Sequence, residues 1–248
     1  MTINMLSSLG RGVLLALAIS TGAALHANTL KLLTTPFSNG ANLGGGEFSA
    51  IPVTGSLSTT GYSPLALYAG NLETFCLEYK EHFSPGTVYD FSISSKAFSG
   101  DITGPGGDAI SIGTAWLYSQ FATGALSGYS YTYANSGEIA ARKNSSLNLQ
   151  LALWYLEDET QFISGYASYD PTTNPFLVAA TAQFGNINNA KLDANGAYGV
   201  AVLNLTSNNG ANLHQSQVFL TTPDAGTTMG VLGMGMLLLA GLRRKLRR

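Results

Sequence analysis

The chain has 248 residues, 45% hydrophobic and only 10% charged, with 29 glycines, one cysteine and a formal net charge of −2. Residues 28 to 221 hold six Lys and Arg against thirteen Asp and Glu, so the central body is acidic and the remaining basic residues sit at the two ends. Phosphate binding needs clustered Lys and Arg, which argues against a nucleic-acid partner, and a single cysteine leaves no internal disulfide framework.

Arg11, the apolar run from Gly12 to Ile19 and the small residues through Ala27 have the charged, hydrophobic and cleavage regions of a secretory signal peptide. Cleavage after Ala24 or after Ala27 fits, so residues 1–27 are expected to be removed during export by the Sec machinery. The body, residues 28–221, is long enough for one domain with a sizeable core.

Within it, period-two alternation predicts strands at Thr29 to Leu33, Phe48 to Val53, Phe75 to Tyr79, Thr87 to Ile93, Tyr198 to Leu205 and Gln217 to Leu220. Turns fall at Gly44-Gly45-Gly46, Gly104-Pro105-Gly106-Gly107 and Asn208-Asn209-Gly210. Two segments break the pattern. One helix is expected from an Asp108 cap to about Phe121, with Ile112, Ala115, Trp116 and Ser119 on one side. A second is expected from about Ser145 to Glu159, with Leu147, Gln150, Leu151 and Trp154 on one face. The fold class is therefore mainly β, a β-sandwich or barrel-like body with a helical insertion, α+β overall, between a signal peptide and a C-terminal hydrophobic helix.

Residues 222–248 form the last segment: Thr222-Pro223-Asp224-Ala225-Gly226, an apolar run from Met229 to Leu242, and Arg243-Arg244-Lys245-Leu246-Arg247-Arg248. About 14 apolar residues make roughly 21 Å of helix against a hydrocarbon core of roughly 30 Å, a short span whose basic end stays in the cytoplasm. This order resembles the PEP-CTERM class of sorting signals in its Val-Pro-Asp-Ser-Gly variant. Pro223, Asp224 and Gly226 fit that motif, whereas Thr222 and Ala225 depart from it. The resemblance implies an exosortase, a membrane transpeptidase, as partner. It also implies transient anchoring in the membrane through the tail, and delivery to the cell surface or extracellular matrix of a Gram-negative type envelope.

Two residues of the body ask for a chemical explanation. Cys76, in Phe75-Cys76-Leu77, is a lone cysteine exported to an oxidising compartment, and Gln150 lies on the apolar stripe of a helix, where an unsatisfied amide is costly. Attack of the Cys76 thiolate on the Gln150 side-chain carbonyl, with loss of ammonia, would hide the thiol in an internal thioester. The pattern resembles the thioester domains of bacterial surface adhesins, which carry a Cys on a strand between hydrophobic neighbours and later a Gln in a hydrophobic-Gln-x-x-hydrophobic run. Phe75-Cys76-Leu77 and Leu149-Gln150-Leu151-Ala152-Leu153-Trp154 fit both. Gly113 to Tyr118 lies where those domains have a helical insertion, and Gly45-Gly46-Glu47-Phe48 resembles their opening segment. The resemblance implies a covalent adhesin, acylating amines on a surface protein or a matrix component, rather than a turnover enzyme. Proton transfer near Cys76 falls to Glu73, Glu78, Tyr79 or His82, among which the sequence does not choose.

Other functions compete with this one. A structural biofilm-matrix protein would leave Cys76 unmodified, with Asn144-Ser145-Ser146 and Asn204-Leu205-Thr206 as glycosylation acceptors. A glycan-binding body would stack sugars on Tyr129, Tyr131, Tyr133, Tyr166 and Tyr169. Glu157-Asp158-Glu159 reads as a solvated helix end rather than a hydrolase carboxylate pair, and His82 and His214 lack ligand spacing, so no metal or other cofactor is expected.

Overall fold

The computed structural model describes residues 28–39, 45–98, 107–162 and 171–221. The signal peptide, the sorting motif Pro223-Asp224-Ala225-Gly226 with its tail, Tyr166 and Tyr169 lie outside the described residues. The described strands are β1 (Thr29–Thr34), β2 (Phe48–Thr54), β3 (Leu67–Tyr68), β4 (Asn71–Cys76), β5 (Val88–Ser94), β6 (Lys96–Ala97), β7 (Asp108–Ala109), β8 (Val200–Ser207) and β9 (Asn212–Leu220). The helices α1 (Ile112–Ala122), α2 (Ser136–Leu156), α3 (Pro175–Phe184) and α4 (Ile187–Ala190) all lie between β7 and β8.

The main sheet runs β2-β1-β5-β8-β9-β4, and the extra antiparallel pairing of β2 with β4 closes these six strands into a barrel, with β3 added beside β4. Of the sandwich and the barrel, the chain adopts the barrel, and closure removes the unpaired edges of the six strands. The helical insertion joins β5 to β8, which are antiparallel neighbours.

Local chemistry sets the turns. Ala69 and Gly70 both have positive φ, 49° and 80°, the geometry of a two-residue hairpin turn between β3 and β4. That turn starts β4 at Asn71, so the strand expected over Phe75 to Tyr79 instead spans Asn71–Cys76. The β8–β9 hairpin turns through Asn208, Asn209 and Gly210, all at positive φ, as the Asn-Asn-Gly signal predicts.

The helices differ more from expectation. Helix α1 is capped by Ser111, whose side chain accepts from the Thr114 N–H, while Asp108 lies in β7. It has no single apolar face: Gly113, Thr114, Ala115, Leu117, Tyr118, Ser119, Phe121 and Ala122 are all buried, whereas Ile112 and Trp116 are only half-buried. Helix α2 begins nine residues earlier than Ser145, at Ser136, because Asn135 caps it by accepting from the Glu138 N–H while Glu138 accepts from Asn135 Nδ2. The extra turns carry Arg142 to the site.

Only Asp158 of the polar end of α2 is exposed. Glu157 is buried and accepts from the Ser111 N–H at 3.1 Å and its hydroxyl at 2.8 Å, Glu159 is buried and accepts from the Tyr79 N–H, and Asp158 pairs with Lys191. Carboxylates at this end serve the start of α1 and the segment after β4 as backbone acceptors, a role that the charge pattern alone does not reveal. Among the described residues no helix is long and apolar enough to cross a membrane.

Candidate functional site

Cys76 is the last residue of β4, and Gln150 lies in the second half of α2. Both are fully buried. The fold brings them together across 74 residues of chain: Gln150 Nε2 donates to the Cys76 carbonyl oxygen at 2.7 Å, and Gln150 Oε1 accepts from the Cys76 N–H at 3.0 Å. The same Oε1 also accepts from the Gly46 N–H at 3.2 Å.

The register of the barrel explains this convergence. Strand β2 faces β4 through Phe48↔Thr74, Ser49↔Glu73 and Ala50↔Leu72, a register that, continued outward, sets Gly46 opposite Cys76. At that step the Gln150 amide stands between the two backbones and takes the hydrogen bonds that a ladder would have made. The wedge fits because Gly45 has no side chain: a Cβ there would meet Gln150 Cγ and come within 2.7 Å of the Trp154 ring.

A second set of contacts fixes the wedge. Arg142, Ser146 and Gln150 recur every four residues along α2 and so form one stripe. Arg142 pairs with the Glu47 carboxylate, Nε at 3.0 and 3.1 Å from its two oxygens and Nη2 at 2.9 Å. Ser146 Oγ accepts from the Glu47 N–H at 2.8 Å, and Gln150 accepts from Gly46. The stripe thus grips consecutive residues of the strap that precedes β2. The Glu47–Arg142 pair is wholly buried, with the Tyr129 hydroxyl donating to Glu47 and Arg142 lying 4.2 Å over the Phe37 ring.

Around Cys76, the side chains of Phe48, Leu151 and Trp154 form a small apolar cluster flanked by Tyr79, Phe83 and Leu147. Cys76 Sγ accepts from Gln217 Nε2 at 3.5 Å. Burial pushes the thiol up to about 12; the Gln217 contact lowers it and the nearby Glu78 charge raises it further. Of the groups close in sequence, Glu78 is therefore the one whose charge acts on Cys76, and its own carboxyl is raised to about 10 by burial and by Glu81 and Glu159. Glu73 accepts from Ser49 Oγ and faces Glu47 and Arg142, Tyr79 packs edge-on against Trp154, and His82 is exposed.

Gln217 and Arg142 carry no motif, and Ser146 belongs to a motif that points to glycosylation rather than to this site. The signal that finds them is spacing: Arg142 and Ser146 lie eight and four residues before Gln150, within a helix whose start is marked by Asn135 and Glu138.

Among the described residues, Tyr129 and Tyr131 are not open to a glycan. Tyr129 and Tyr131 are buried in the core, bonded to Glu47 and to the Phe121 carbonyl, and only Tyr133 of the described three is exposed. Asn204 is fully buried, its amide donating to the Lys96 carbonyl and accepting from the Phe98 N–H and the Ser216 hydroxyl, so it is closed to glycosylation in the folded state. Asn144 is exposed on α2. His214 bonds Ser207 and packs on Tyr89.

No protein-family model, curated protein or solved structure matches the chain. The functional reading therefore rests on the site itself.

Proposed function

We propose that this is an exported surface protein whose body stores an acyl group as an internal Cys76–Gln150 thioester and spends it once, on an amine of a partner. The observation that supports this is the two-way hydrogen bonding of the Gln150 amide to the Cys76 backbone inside a closed apolar cluster. It holds the Gln150 carboxamide against a cysteine otherwise unexplained in an exported chain, while Gln217, whose Nε2 lies 3.5 Å from Cys76 Sγ, is a second carboxamide beside the thiol. An amine on a surface protein or matrix component attacks the Gln150 acyl carbon, Cys76 leaves, and an amide joins the two molecules. The reaction consumes the site, so the protein is an adhesin and not a turnover enzyme. In this reading the signal peptide directs Sec export, and the Pro223-Asp224-Ala225-Gly226 segment with its basic apolar tail presents the protein to an exosortase for release at the surface of the envelope.

A second reading, a structural or matrix protein without the bond, draws on the fact that the Gln150 amide and the protonated thiol are already hydrogen-bonded as they stand. Intact mass separates the two. Against Cys76→Ala processed identically, the thioester form is lighter than its sequence by about 17 Da and gains about 31 Da with methylamine. An unshifted mass with Cys76 alkylated after unfolding removes the adhesin reading.

A further inference from the structure

Gln150 Oε1 receives two backbone N–H groups, Cys76 at 3.0 Å and Gly46 at 3.2 Å, one from each side of a barrel seam held open by the amide itself. From this geometry we infer that the Gly46 and Cys76 N–H groups are an oxyanion hole for the Gln150 acyl carbon, and that Arg142, Ser146 and Glu47 are positioning residues that hold the Gly46 donor in place. The inference deepens the thioester reading and rests on it.

The chemistry needs such a hole twice. In formation, Cys76 Sγ bonds to Gln150 Cδ, the carbonyl pair moves onto Oε1, and the carbon becomes tetrahedral with a negative oxygen. The thiol proton passes to Nε2, the C–N bond breaks, ammonia leaves and the carbonyl returns. In transfer, an amine nitrogen bonds to the same carbon, the pair moves again onto Oε1, the C–S bond breaks, and the amine's proton ends on the Cys76 sulfur. Both intermediates put charge on one atom, and both donors already aim at it. Preorganised donors in a water-excluded site stabilise developing charge far more than water does, because they need not reorient. The Cys76 carbonyl, accepting from Nε2 at 2.7 Å, holds the carboxamide so that its oxygen stays on the donor side.

The Gly46 donor is the one that the structure takes trouble to fix. Its φ is +118°, a conformation suited to glycine, and a Cβ there would come within 2.9 Å of Ser146 Oγ. The next residue is clamped through its backbone by Ser146 and through its carboxylate by Arg142, so the strap cannot slide along α2 without breaking a buried ion pair. An ordinary buried Gln needs no such clamp on the far strand.

The test deletes the donor without touching a side chain. In the full chain, Gly46 is replaced by glycolic acid through nonsense suppression, which turns the N–H into an ester oxygen. Wild type, this variant and Ser146→Ala are compared by intact mass, by the rate of methylamine addition and by the thioester carbonyl stretch in the infrared. Loss of one such donor is expected to slow amine addition by about a hundredfold or more and to raise the carbonyl stretching frequency. Ser146→Ala is expected to move both readouts in the same direction by less, and it decides the matter if the ester variant fails to fold. A folded variant that keeps the wild-type rate and band overturns the oxyanion hole while leaving the thioester standing. A wild-type chain without the mass deficit overturns the thioester reading, and the hole falls with it.

Discussion

Gln150 holds Cys76 by both polar atoms of its backbone, its Nε2 donating to the Cys76 carbonyl at 2.7 Å and its Oε1 accepting from the Cys76 N–H at 3.0 Å. The helix residue thereby replaces the strand neighbour that β4 lacks at this step of the seam. Stability and chemistry then depend on the pair unequally. Gln150→Ala strands the buried N–H groups of Gly46 and Cys76 and one buried carbonyl; since each such group costs about 1–3 kcal/mol, the expected loss is about 4 kcal/mol. Cys76→Ala removes one weak contact to sulfur and a small apolar volume and is expected to cost about 1–2 kcal/mol. Urea unfolding of the two variants checks the order. Both abolish the mass deficit, and equal stability losses would contradict the clasp.

Gly45 tests the fit from the other strand. An added methyl would meet Gln150 Cγ and the Trp154 ring, and neither neighbour lies at the free end of a flexible chain. Overpacking of this kind costs about 1–3 kcal/mol and displaces the side chain it strikes. Gly45→Ala is expected to lower the unfolding midpoint and, because it moves the Gln150 amide, to slow formation of the thioester. Gly70→Ala, whose Cβ would meet nothing within 4 Å, is a control for a glycine that serves backbone conformation alone.

The sequence carried the strand pattern and the two reacting residues because both leave local marks. Alternation shows in β1 and β5, whereas β8 is buried at six successive positions, and a cysteine alone among 248 residues stands out whatever the fold. Barrel closure left no such mark, since the pairing of β2 with β4 depends on register between segments, not on either segment's composition. The same holds for Glu157, which reads as one of three adjacent solvated acids until Ser111 is seen to need its oxygen. The Glu47–Arg142 pair leaves no mark in the sequence because partners 95 residues apart cannot be matched by spacing. Tyr129 and Tyr131 suggested a sugar platform for the related reason that tyrosine marks core and surface alike, and here they pack around Phe121.

Arg142 offers a test of the clamp that separates charge from packing. Arg142→Met leaves the Glu47 carboxylate buried with only the Tyr129 hydrogen bond, and breaking one side of a buried pair costs about 3–5 kcal/mol. The double variant Glu47→Gln with Arg142→Met removes the uncompensated charge and is expected to recover more than half of that loss in urea unfolding. Recovery of stability without recovery of the methylamine rate would show that the pair serves placement of the strap as well as folding.

The last expectation concerns pH and follows from the buried acids. Burial raises the Glu157 carboxyl from its ordinary value of 4.5 to about 7, against the lowering effect of hydrogen bonds from Thr114 and Ser111, with Asp108 adding to the rise. Between those two values the folded chain keeps a proton that the unfolded chain has released. The folded state therefore binds more protons there, and stability falls as pH rises through that window. A shift of this size corresponds to about 3 kcal/mol, wholly absent below the unfolded value and fully felt above the folded one. Glu78, raised to about 10 by burial and by Glu81 and Glu159, has the same sign and carries the decline on through neutral pH. The body is thus expected to unfold at higher urea at pH 5 than at pH 8. Glu157→Gln, whose side-chain oxygen still accepts from Ser111, is expected to flatten the dependence between pH 4.5 and 7 and to exceed wild type in stability at pH 8. A wild-type stability that rises with pH over this range would mean that Glu157 is charged in the fold and that its hydrogen bonds outweigh its burial.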